Sequence, residues 1–199
     1  MKKRILSIVL ILALLPTMLW AQKREVARFE FEVGGAIALG SAELRDLDLK
    51  WDTNEPGYSL HAEFRYNFAH IPFDVGVRVG SSFFNRDLWD VFQDAEFKSI
   101  NAMGVVDYNF FRKSAVSLFV GVGLGYAALD TSHLGDLTHQ APEIKEFIKD
   151  HSKGTFCMQP RLGVELLHRI RLTASYLYQG SASNHFDVSV GIVFGGGKR

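Results

Sequence analysis

Eight stretches of this chain alternate residue by residue between apolar and polar side chains. A period of two is the signature of strands with one apolar and one polar face. The stretches are RFEFEVGGAIAL, whose faces begin at Phe29, YSLHAEFRYNF from Tyr58, FDVGVRVGSSF from Phe73 and INAMGVVDYNF from Ile100. VSLFVGVGLGY from Val116, FCMQPRLGVEL from Phe156, IRLTASYLY from Ile170 and FDVSVGIVF from Phe186 complete the set. In every one, a single parity is free of charge. The other parity carries seven acids, Glu30, Glu32, Glu63, Asp74, Asp107, Glu165 and Asp187, and four arginines, Arg65, Arg78, Arg161 and Arg171. One binary choice of phase per strand gives too little freedom to empty eight faces of charge by selection.

Eight alternating strands admit two architectures. A soluble sandwich or small barrel buries the apolar face and wets the polar one. A membrane barrel turns the apolar face to lipid and the polar face to its lumen. Three features favour the second. The charged face is rich in glycine, with Gly34, Gly76, Gly80, Gly121, Gly123, Gly125, Gly163 and Gly191. A solvated face has no need of glycine, which weakens strands, whereas a narrow lumen needs small residues to make room for arginines opposite. Aromatic residues gather at strand ends in two sets, as at membrane interfaces. Tyr66, Phe68, Phe73, Tyr108, Phe110 and Phe111 form one set, and Tyr58, Phe83, Tyr126, Phe156, Tyr178 and Phe186 the other. Finally, connections near 69–72, 111–115 and 168–170 are short, and those near 40–57, 84–99, 127–155 and 179–185 are generally longer. Two hairpins repeat one plan, Tyr-Asn-Phe, a tight turn, then a Val-Gly-Val strand, at 66–79 and 108–122.

The start of the chain reads differently. Lys2, Lys3 and Arg4 precede an apolar stretch from Ile5 to Leu15, then Pro16 and a small residue, Ala21. This is the layout of a secretory signal peptide, and the apolar stretch falls short of the ~20 residues of a helical span. The expected organisation is a cleaved segment, 1–21, and a barrel domain, 22–199. The residue directly after the cleavage point is Gln22 and not a cysteine, so a lipoprotein is not expected. Cys157 is the only cysteine, which excludes an intramolecular disulfide. Lys and Arg number 22 and so do Asp and Glu, and this balance argues against nucleic acid as a partner.

At this point the chain resembles the small outer-membrane β-barrel family, the OmpA/OmpX-type and PorT-like barrels, over nearly all of 22–199. The sharpest element is SVGIVF, Ser189 to Phe194. Ser189, Gly191 and Phe194 match the family's assembly signal of polar, any, Gly, any two, aromatic. The family's second aromatic, two positions on, is replaced by Gly196. The resemblance implies residence in the outer membrane of a Gram-negative-type bacterium. It implies outer-membrane lipids and the barrel-assembly machinery as partners.

The expected fold is all-β: an eight-stranded antiparallel up-and-down transmembrane β-barrel. A short amphipathic helix is expected in the third outer loop, where Pro142 and Glu143 precede Ile144, Phe147 and Ile148 at helical spacing. In so narrow a lumen, the eleven charged residues have to pair. That predicts a plugged interior crossed by salt bridges. Seven histidines include no His-x-His or HExxH spacing, so neither a metal nor another cofactor is expected. Some barrels of this size are lipid-modifying hydrolases whose histidine stands two before the serine. Here Ser183 precedes His185, the reverse order. The reading is a non-catalytic barrel with a structural, interaction or adhesion role, meeting an envelope or host ligand at its outer loops. A narrow porin-like channel and a lipid-modifying enzyme are the alternatives.

Overall fold

The computed structural model describes residues 27–40, 56–88, 92–130, 154–179 and 184–195. Eight strands follow one another: β1 (Phe29–Gly40), β2 (Gly57–Asn67), β3 (Phe73–Leu88), β4 (Phe92–Phe110), β5 (Val116–Asp130), β6 (Thr155–Leu166), β7 (Ile170–Leu177) and β8 (His185–Phe194). Each pairs antiparallel with its chain neighbours, and β1 pairs with β8, from Phe31↔Phe194 to Gly40↔His185, so the sheet closes into a barrel. Every strand takes the phase its alternation dictates. Val77, Leu162, Ile37 and Ile192 stand on the outside, 57–60% exposed, and all seven acids and four arginines are buried inside. Charge in a closed interior with an apolar exterior is the arrangement of a barrel in lipid.

The strand boundaries hold closely except toward the long connections of β3, β4 and β5, where β5 runs on to Asp130 inside the stretch 127–155 that reads as a connection. Residues 84–99 read as a loop, yet β3 continues to Leu88 and β4 begins at Phe92, leaving only 89–91 between them. Strands of 16 and 19 residues exceed the ~9–11 that cross a bilayer, so this hairpin continues past the apolar zone. Outside that zone no hydrocarbon enforces alternation. Asn85, Arg86, Asp94, Glu96 and Lys98 interrupt the pattern that marks the rest of these strands. The segment of the expected third-loop helix, and residues 1–21, lie outside the described residues.

The short turns form the tied end of the barrel. Arg112 Nη1 donates to the carbonyls of Phe68 and Ile71, at 2.7 and 3.0 Å, joining the β4–β5 turn to the β2–β3 turn. Leu167 N–H donates to Ala115 O, joining the β6–β7 turn to β4–β5. Aromatic rings line this end on the outside, with Phe29 against Tyr66 and Phe73 against Tyr108 at centroid distances of 5.3 and 5.1 Å. Tyr58 stacks on Phe83 toward the other end. Phe29, Phe31, Phe64 and Phe194 enlarge the belt beyond the residues that the sequence singled out.

Candidate functional site

Register decides which charges meet. Glu30 and Glu32 of β1 stand opposite Arg65 and Glu63 of β2, and Glu63 stands opposite Arg78 of β3. From β6, Arg161 reaches across the lumen between two strands. Its Nη2 lies 3.0 Å from Glu63 Oε1, and its Nε lies 2.7 Å from Asp107 Oδ1. Asp107 also receives Nη2 of Arg171, from β7. Arg65 donates to Glu32 at 2.9 Å and to Glu30 and Glu63 at 3.3 Å each. Arg78 meets Glu63 at 3.4 Å. The result is one connected set of charges touching β1, β2, β3, β4, β6 and β7. Arg171 also lies over the Phe119 ring, 3.5 Å from its centroid.

Two expected acids stay out of the arginine set. Among the described residues, Asp74 pairs with Asn109, at 2.7 Å, and Asp187 with His185 and Ser59, at 3.5 and 3.4 Å. Asp74 stands directly opposite Asp107 on β4, and the nearby guanidiniums are committed to Asp107. The glycines also make room differently than expected. Only Gly76 has an arginine in the space of its missing side chain, where Arg65 Cγ would lie 3.0 Å from a Cβ. Gly121 makes room for Asp107, Gly191 for Glu32, Gly34 for His61, Gly163 for Phe119 and Gly123 for Met103. The lumen's glycines therefore seat cross-strand neighbours of every kind.

Three histidines join the network: His61 with Glu32, His168 with Glu165, both at 3.1 Å, and His185 with Asp187. The polar parity of β2 and β8 places His61 and His185 in the lumen, and parity does not reach His168. It lies in the β6–β7 turn, where Leu167 and His168 adopt φ of 55° and 53°. That left-handed pair swings the imidazole inward. Its separation of three residues from Glu165 was the available signal. Nearer the long connections, Met103, Val105, Ala127, Cys157 and Leu177 form an apolar cluster inside the barrel. The arginine-centred charges thus lie toward the short turns, and nearer the long connections this apolar cluster shares the interior with buried polar residues such as Ser82, His185 and Asp187. Of the residues expected to form an assembly signal, Ser189 and Gly191 face inward and Phe194 faces outward, 6.3 Å from the Phe31 ring.

A family model described as "Outer membrane protein beta-barrel domain" matches residues 7–194. The chain belongs to this family. The protein is an outer-membrane β-barrel. Its fold is similar to that of Neisserial surface protein A, at 17% identity and a TM-score of 0.57 over 85% of this chain and 98% of that one. Lower similarity links it to Ail of Yersinia pestis, 17% identical, TM-score 0.47, covering 83% of this chain and 99% of that one. OprG of Pseudomonas aeruginosa is 14% identical, TM-score 0.46, covering 88% and 96%. No curated protein sequence matches the chain.

Proposed function

We propose that this outer-membrane barrel has a plugged, salt-bridged interior and serves a structural or interaction role through its outer connections. In this reading residues 1–21 are a cleaved signal peptide and 22–199 the barrel domain. Ser189, Gly191 and Phe194 present the last strand to the barrel-assembly machinery. The observation that carries the reading is Arg161, which spans from β6 to Glu63 on β2 and Asp107 on β4. An eight-stranded barrel encloses little more than its own side chains, so a guanidinium bonded on two sides lies across the path an ion would need. The apolar cluster of Met103, Val105, Ala127, Cys157 and Leu177 fills further space in the interior. Conduction would require breaking charge-assisted hydrogen bonds and leaving buried carboxylates unpaired.

The same geometry argues against catalysis. Ser82, His185 and Asp187 lie together in the lumen, which suggests a hydrolase set. Both partners, however, meet the same ring nitrogen, Nε2, at 3.2 and 3.5 Å. A hydrolase needs the acid on one nitrogen and the serine on the other, so that the second can take the serine's proton. With lumen and catalysis set aside, the surfaces left for function are the outer connections, the long 41–56 and 131–154 above all.

Purified protein in a planar bilayer tests the reading. No stable current steps of porin size are expected. Long-lived, reproducible open steps would reject the plugged interior in favour of a narrow channel.

A further inference from the structure

We propose that Glu30, Glu165 and His168 form a divalent transition-metal site, suited to Zn²⁺, at the short-turn end of the barrel interior. One donor atom from each lies within 4.8 Å of the other two, and all three residues are buried. One of the candidate donors lacks a partner, since Glu30 Oε1 is buried without a hydrogen bond. Buried polar atoms are nearly always bonded, so an orphaned carboxylate oxygen in this cluster points to a missing ligand. The arginines nearby do not fill that role for Glu165. Arg65 and Arg171 stand 3.7 and 3.8 Å from its Oε2, beyond hydrogen-bond length. Glu165 Oε1 and His168 Nδ1, 3.1 Å apart, have the spacing of two ligands on one tetrahedral ion.

Backbone and charge point the same way. Arg169 N–H donates to Leu166 O at 2.9 Å around Leu167 and His168, both left-handed, which is the sign pattern of a type I′ turn. Asn-Gly is the pair such a turn favours. The chain instead holds a bulky imidazole there, 2% exposed and aimed inside. Strained conformations of this kind cluster at ligand sites. Among the described residues, the interior sets seven buried carboxylates against four arginines, an excess of negative charge that a bound dication reduces. One imidazole with two carboxylates is a borderline donor set that suits Zn²⁺, with bonds of ~2.0–2.2 Å. A cleft lined by Arg28, Asn67, His70 and Arg112 opens at this end and offers an entry path. Sequence spacing missed the set because its members come from β1, β6 and a turn. The site does not depend on whether the barrel conducts.

Calorimetric titration of the chelator-stripped, detergent-folded barrel with Zn²⁺ is the test. One ion per barrel is expected, and E30Q should weaken binding roughly 10–100-fold. The double variant Leu167→Asn/His168→Gly gives the turn its preferred residues, so it should fold, as read by its gel shift on boiling, and lose the ion. His185→Asn, at the other end, should bind as the parent does. No saturable binding by the parent, or unchanged binding in both site variants, would overturn the proposal. If neither variant folds, the parent's zinc X-ray absorption spectrum decides: one imidazole with oxygen ligands supports the site, and two or more imidazoles reject it.

Discussion

Arg161 ties two distant strands together across the lumen, since it is bonded to Glu63 and Asp107 at once. Removing one partner of a buried ion pair is far more harmful than the pair is helpful, because the remaining charge stays desolvated. Arg161→Met should therefore destabilise the barrel by about 3–5 kcal/mol, read as a fall in the urea midpoint in detergent micelles. Adding Glu63→Gln should recover part of the loss, so the double variant is less destabilised than the two single effects together. A strictly additive double variant would show that Glu63 and Arg161 are not coupled. The sequence named every charged member of this network, because each sits on a polar parity that is readable locally. It could not name the pairs. Arg161 is 98 residues from Glu63 and 54 from Asp107, and their meeting depends on how eight strands are staggered around the barrel. His168 was hidden for another reason: a left-handed turn residue takes its direction from the turn and not from the alternation.

Among the strands, β6 carries the one feature that local rules disfavour. Pro160 lies in its middle, opposite Val122, where a proline cannot donate to the ladder. Met158 and Tyr178 exchange both N–H···O bonds at 2.8 Å, so even-numbered residues of β6 turn their N–H toward β7. Two positions on, Pro160 is thus the residue whose missing N–H would have reached Tyr176 O. The β6–β7 pairing accordingly has a gap between the Met158↔Tyr178 bridge and Arg161↔Ser175. In lipid an unpaired carbonyl has no water to turn to. Pro160→Val, on the outward face, should close the gap and raise stability by about 1 kcal/mol, the net worth of a hydrogen bond. Hydrogen exchange should find the new amide at 160 slowly exchanging. A fast-exchanging amide, or a lower urea midpoint, would show that the seam is open for some other reason. Strand phase was legible throughout because it needs only the parity of each residue. Strand length failed in β3, β4 and β5, whose far ends run on past the stretch where hydrocarbon enforces alternation.

At the level of the whole barrel, everything depends on closure, since the β1–β8 pairing joins the two ends of the sheet and leaves no edge. It is also the contact of greatest sequence separation, the kind that forms late and at the highest chain-entropy cost. Gly191 stands at this seam opposite Gly34, and opposite Arg171 on its other side. The space of its missing side chain is taken by Glu32, whose Cδ and Cγ would lie 2.7 and 2.8 Å from a Cβ. Glu32 in turn holds Arg65 at 2.9 Å and His61 at 3.1 Å. A valine at 191 would displace that carboxylate from Arg65 and His61 just where the sheet must close. Gly191→Val should therefore sharply reduce the fraction that migrates as folded barrel on unheated gels. Ser189→Ala, which gives up only a long 3.4 Å bond to Thr173 O, should leave that fraction nearly unchanged. Gly191 also belongs to the proposed assembly signal, and refolding of purified chain into detergent, without any cellular machinery, separates the two roles. Failure in detergent as well as in cells is the expected result of the steric clash at the seam. Normal refolding in detergent with failure only in cells would reject the clash and leave recognition by the assembly machinery as the role of this glycine.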